Sequence, residues 1–186
     1  MEDLKILGLC GSLRKKSTNM GLLRYAKEHL PEGMTLEIAD LSHVPFYNED
    51  IKDKPPAVEM LFQQMSEADG FLFACPEYNY SIAPALKNAI DWASREPNNL
   101  LLSDKPAAIM GSGGGMGTSR AQYHLRQVCV FVNLHVLNRP EVFCNAFADT
   151  FNEKSELVDT RIQQLIEQQL MALKAFAQKW QRDSSN

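Results

Sequence analysis

The sequence predicts a three-layer α/β domain, a doubly wound parallel sheet with helices on both faces. Three observations carry this. Short, almost wholly apolar runs recur at residues 4–10, 71–75 and 106–110, as expected of strands covered by helices on both sides. Between them lie segments with apolar residues at helical spacing. Each run also stops in a stretch rich in hydroxyl, amide, aromatic or glycine residues, and in such sheets ligands bind outside the carboxyl ends of strands.

Residues 4–10 read as the first strand. Gly11 and a polar loop with Ser12, Arg14, Ser17, Thr18 and Asn19 follow, then a helix over about 18–30 that stops before Pro31 and Gly33. A helix N-terminus placed after a strand is an anion site, because its first N–H groups lack intrahelical partners and carry partial positive charge. The hydroxyls and the Asn19 amide add directional bonds, and the Arg14 guanidinium matches phosphate oxygens. No Gly-x-x-x-x-Gly-Lys-Ser/Thr can be read from Gly8 or Gly11, and the spacing of these two glycines breaks Gly-x-Gly-x-x-Gly. What remains suits a lone terminal phosphate. In the plainer reading, Ser17 or Thr18 caps the helix and Arg14 to Lys16 is a solvated run.

Residues 34–39 alternate apolar and polar side chains, as a second strand does. Residues 40–56 are irregular, with an aromatic and acidic centre around Pro45, Phe46 and Tyr47. A connection of that length is functional or disordered, and its aromatics favour order. Val58, Leu61, Phe62 and Met65 mark a helix with one buried face. The run 71–75 ends in Pro76, Glu77, Tyr78, Asn79, Tyr80 and Ser81, after which Pro84 opens a helix buried through Leu86, Ala89, Ile90 and Ala93. Two aromatics and an Asn at a strand end can hold a flat heterocycle; equally, Tyr78 and Tyr80 can pack under a turn. The run 106–110 leads into Gly111, Ser112, Gly113, Gly114, Gly115, Met116 and Gly117. Glycine at this density permits close backbone approach to a ligand, or simply a mobile loop. A helix over 118–131, a strand near 132–137, the segment 140–151, and a long final helix through Ile162, Ile166, Leu170, Leu173 and Trp180 complete the chain.

With 186 residues, 45% hydrophobic and 23% charged, the chain is expected to form one globular domain over 1–186. A net charge of −4 does not fit a nucleic-acid binder, which shows a concentrated basic face. The apolar run at the start is too short for a signal peptide, and no stretch approaches the roughly 20 apolar residues of a membrane span. A cytoplasmic protein without membrane association is the expectation. Cys10, Cys75, Cys129 and Cys144 form no Cys-x-x-Cys pair, so they are expected as reduced, buried thiols rather than metal ligands.

Five strands in this pattern fit the flavodoxin-like order 2-1-3-4-5, whose cofactor, FMN, has one terminal phosphate and one planar ring. The chain also resembles a family. Residues 11–19, the stretch from Pro76 to Ser81 with the helix from Leu86 to Trp92, and the run from Gln122 to Arg126 are similar to the NADPH-dependent FMN reductases, most of all to their quinone and chromate reductase group. The resemblance implies hydride transfer from NADPH, or NADH, to FMN, and onward electron transfer to small-molecule acceptors: quinones, free flavin, azo compounds or metal oxyanions. It implies that Ser12, Arg14, Ser17 and Asn19 hold the phosphate, Pro76 to Tyr80 the isoalloxazine ring, and Ser112, Gly113, Gly114 and Gly115 the other side of the flavin. The flavin carries the chemistry, so no catalytic side chain and no metal is expected. Glu77 is a candidate general acid but is read as a tether for its loop, and His29 and His124 as surface or core histidines. The resemblance further implies a homodimer or homotetramer with the pocket partly closed by the neighbour; the loop Pro45 to Tyr47 and the helix with Tyr123 and Arg126, near Glu141, are the candidate contact regions. A flavodoxin-type electron carrier or a non-catalytic flavin-binding regulator shares the fold and is the alternative.

Overall fold

The computed structural model describes residues 3–184; both ends of the expected 1–186 domain lie outside the described residues. The strand β1 (Leu4–Cys10) leads through the polar loop to α1 (Thr18–Glu28), β2 (Met34–Ala39), α2 (Pro56–Glu67) and β3 (Gly70–Ala74). A short hairpin follows, β4 (Glu77–Tyr78) and β5 (Ser81–Ile82), then α3 (Pro84–Ala93), β6 (Pro106–Gly113), α4 (Ser119–Phe131), β7 (His135–Val136), β8 (Val142–Asn145) and α5 (Thr160–Ser184). Local chemistry sets several helix starts. Pro56 and Pro84 sit at first helical positions, where a missing N–H costs nothing. The Asp159 carboxylate accepts the N–H groups of Arg161 and Ile162 at the start of α5.

The sheet runs β2-β1-β3-β6 with every pairing parallel, and both β7 and β8 pair with β6. This is the expected 2-1-3-4-5 order with its fifth position filled in two pieces. The count therefore differs from the five strands expected, at two places. The run 132–137 contributes only His135–Val136, because α4 closes on Asn133 in the left-handed region, with Leu134 N–H donating to Cys129 O at 2.9 Å. Pro140 follows, which has no N–H for a ladder, and pairing resumes at Val142, in a segment not expected to be a strand. That second piece pairs with Met110 to Gly113, so β6 continues through residues expected to be loop, and the glycine loop shrinks to 114–117.

Side-chain alternation divides the strands between two cores. Leu7, Leu9, Phe71, Phe73 and Ile109 face α2, α3 and α4. Ile6, Cys10, Leu72, Ala74 and Met110 face α1 and α5, where Leu22, Leu23, Ile166, Leu170 and Leu173 are buried. With both faces covered, the loops at the carboxyl ends of β1, β3 and β6 come together at one end of the sheet.

Candidate functional site

Those loops form a cleft of about 290 Å³ lined by Ser12, Arg14, Ser17, Thr18, Asn19, Pro76, Glu77, Tyr78, Ser112, Gly113 and Gly114, with Ala146 and Phe147. Of the residues expected at the site, Asn79, Tyr80 and Gly115 do not line it. The loop from Pro45 to Tyr47 lies outside it too, fastened to α3: Pro45 O accepts from Asn88 Nδ2 and Trp92 Nε1, both at 2.8 Å.

The first wall is the start of α1. Ser17 is its N-cap, with a buried hydroxyl accepting Met20 N–H at 3.1 Å. The plainer reading of Ser17 is thus part of the structure, and capping leaves the N–H groups of Thr18 and Asn19 at the helix start without intrahelical acceptors. The Ser12 hydroxyl accepts Arg14 N–H at 3.5 Å, and the Arg14 guanidinium, exposed, donates to Lys16 O at 2.9 Å. Asn19 behaves differently from a free ligand. It is buried, its Nδ2 donates to Ser112 O at 2.8 Å and its Oδ1 accepts Ser112 N–H at 2.9 Å, so the amide ties the first loop to the third.

The third wall is the end of β6 and the loop after it. Ser112 is buried, its hydroxyl interacting with the Cys144 thiol and opposing the upward push that burial gives that thiol. The glycines also divide by purpose. A Cβ on Gly111 would stand 1.9 Å from Thr118 Oγ1 and 2.5 Å from Cys75 O, so packing demands that glycine. A Cβ on Gly114 or Gly115 would meet nothing within 4 Å, leaving that backbone bare toward open space.

The hairpin supplies the second wall. Asn79 and Tyr80 occupy its two central turn positions at φ 51° and 67°, a conformation natural for Asn and rare for Tyr. Glu77 lines the cleft, but both of its carboxylate oxygens are taken: its Oε1 accepts from Arg120 Nε at 2.6 Å within an ion pair, and its Oε2 accepts Ala121 N–H at 3.3 Å. It is a tether, with its carboxylate serving the N-terminus of α4, where Thr118 supplies no cap. The Glu77 carboxylate in turn holds the Arg120 pKa above its usual value. His124 is exposed on α4 with Nδ1 3.2 Å from Ser81 Oγ; His29 is exposed and stacked on Tyr25. Among the described residues no cluster of His, Cys, Asp and Glu could hold a metal.

Residues the sequence reading missed are Arg120, Ala146 and Phe147. A basic residue in the first helical turn opposes the helix dipole, and that mismatch was the available signal for Arg120. Phe147 is 87% exposed on the loop after β8, a strand that the sequence reading did not expect.

A helix start with free N–H groups, a bare backbone wall and a hairpin, at the carboxyl ends of a sheet of this order, define a flavodoxin-like ligand-binding domain. The chain belongs to the NADPH-dependent FMN reductase family, whose model matches residues 4–149. It is 50% identical over 181 residues to an NAD(P)H-dependent FMN reductase of Pseudomonas aeruginosa, covering 96% of this chain and 97% of that one. It is also 50% identical over 184 residues to an NAD(P)H:quinone oxidoreductase of Solanum tuberosum, covering 95% and 94%. Among solved structures, the flavoenzyme FerB of Paracoccus denitrificans, an NAD(P)H:(acceptor) oxidoreductase, superposes with a TM-score of 0.86 at 27% identity over 95% of this chain and 98% of that one.

Proposed function

We propose that the chain, acting as one FMN-binding domain, is an NADPH-dependent reductase of quinones and related small acceptors, with FMN in the cleft described above. The observation that carries this is a cleft at the carboxyl ends of β1, β3 and β6 that joins the free N–H groups of the α1 N-terminus to the Gly114 backbone, where a Cβ would meet nothing within 4 Å. A donor set of backbone N–H groups, hydroxyls and one guanidinium suits a phosphate monoester and a polyhydroxyl chain, the non-aromatic parts of FMN. Bound FMN supplies the redox chemistry, taking electrons from a reduced nicotinamide and delivering them to the acceptor.

The protein's own part is binding and orientation. Thr18 and Asn19 N–H groups, with Ser12 and Arg14, hold the phosphate; Ser17 shapes the loop as the helix cap. Ser112, Gly113 and Gly114 line the middle of the cleft. Pro76, Glu77 and Tyr78 present backbone to the ring, and the N–H groups from Glu77 onward, Pro76 having none, are able to stabilise negative charge on it. Asn79, Tyr80 and Gly115 lie around this cleft rather than in it, and Asn19 contributes chiefly by holding Ser112.

A homodimer or homotetramer is part of the same reading. Val130 and Phe131 on α4 are each 80% exposed beside a groove of about 610 Å³ between α3 and α4, the kind of apolar surface that a second copy covers. No helix among the described residues is long and apolar enough to cross a membrane, and four buried free cysteines suit a reducing, cytoplasmic setting. Steady-state assays with NADPH and a benzoquinone or naphthoquinone test the function. FMN-dependent turnover is expected; absence of turnover with every quinone, with FMN bound, would refute it.

A further inference from the structure

The hairpin that presents backbone to the cleft is not self-supporting. Its turn places Tyr80 at φ 67°, a conformation that bulky side chains avoid, and turns of this kind persist only where surroundings over-determine them. α4 supplies much of that support: Ala121 N–H donates to Glu77 Oε2 at 3.3 Å, His124 Nδ1 lies 3.2 Å from Ser81 Oγ, and one side chain there holds two hairpin residues at once. Arg120, on the first turn of α4, has its guanidinium carbon 3.7 Å from the centre of the Tyr80 ring, while its Nε donates to Glu77 Oε1 at 2.6 Å. A single planar cation therefore holds the first strand of the hairpin through the Glu77 carboxylate and its turn through the Tyr80 aromatic face. Arg120 does not itself line the cleft, whereas Glu77 does.

We propose that Arg120 is a positioning residue for the flavin ring, acting through Glu77 and Tyr80 to fix the 77–82 hairpin. The proposal rests on the FMN reading above. It assigns the hairpin to the ring end of the site and Arg14 to the phosphate end, and the two ends can be separated with FMN and riboflavin, which share the ring and differ by the phosphate.

The test is fluorescence titration of the desalted full-length protein with each flavin, together with the midpoint potential of bound FMN and the melting temperature of the flavin-free protein. Arg120→Gln is expected to weaken FMN and riboflavin by the same factor, on the order of tenfold, and to shift the potential to more negative values as N–H donors to the reduced ring loosen. Arg120→Lys, which keeps the charge but not the planar fork, is expected to lie between wild type and Arg120→Gln in affinity and potential, and carries the test if Arg120→Gln does not fold. A purely structural role would lower the melting temperature and leave the potential where it was. Unchanged affinity and potential in either folded variant, or a loss confined to FMN, overturns the proposal alone. Wild-type protein that binds neither flavin overturns the cofactor reading and this proposal with it.

Discussion

Asn19 offers the sharpest test of how the cleft is held together. Asn19→Leu keeps the branching of the side chain and removes both of its bonds to Ser112, leaving the N–H and C=O of a residue that is 4% exposed without partners. An unsatisfied buried polar group costs about 1–3 kcal/mol. Two such groups, with some relief from water entering the cleft, give a loss of about 2–4 kcal/mol. For a domain of this size each kcal/mol lowers the melting temperature by about 2–4 °C, so a fall of about 4–16 °C is expected. Urea unfolding and thermal melts of the flavin-free protein measure it, with the urea slope unchanged if both states keep their compactness. FMN affinity should fall in the same variant, since Ser112 moves. If the flavin-free Asn19→Leu protein unfolds within about 0.5 kcal/mol of wild type, the amide is not the tie between the two loops and the reasoning fails.

Arg14→Ala is expected to weaken FMN by about fivefold to tenfold while leaving riboflavin affinity unchanged, because only the phosphate is addressed; equal losses for both flavins would remove Arg14 from the phosphate end. Gly111→Ala pushes a Cβ to within 2.5 Å of Cys75 O, a backbone atom that cannot step aside, and a destabilisation above about 2 kcal/mol is expected in chemical denaturation; wild-type stability would mean the β6–α4 junction is looser than described. Burial pushes the thiols of Cys75 and Cys129 up to about 12 and that of Cys144 up to about 11, and raises that of Cys10 as well. Because the folded values lie above the unfolded one near 8.5, these groups favour the folded state fully below that pH and less as pH climbs toward 11–12. A thiol reagent at pH 8 should therefore label none of the four cysteines in the native protein and all of them in urea.

The order of elements was legible because each carries its own pattern. The apolar runs 71–75 and 106–110 read as covered strands, and Ser17 and Pro84 as helix starts, by rules that involve only neighbours in sequence. The split fifth position was not legible. His135–Val136 and Val142–Asn145 are too short to show a period, and only the presence of β6 as a template makes either a strand. Within the site, residue types announced the three loops, while the partners within them were hidden. Asn19 reads as a phosphate donor until Ser112, 93 positions away, is found against it, and Glu77 reads as a tether whose partners, Arg120 and the Ala121 N–H, only the fold reveals. Such pairings depend on loop ends brought together by sheet order, which no local pattern encodes.

Anaerobic titration of the FMN-loaded, desalted protein with NADPH, followed by the visible spectrum, bears most directly on the claim that this cleft makes an FMN-dependent reductase. The account predicts a retained yellow flavin that bleaches at about one NADPH per FMN and recolours when a quinone is admitted. A yellow protein that NADPH leaves unbleached would contradict the reductase reading in favour of an electron carrier or regulator, and a protein that emerges colourless would contradict the assignment of the cleft to FMN.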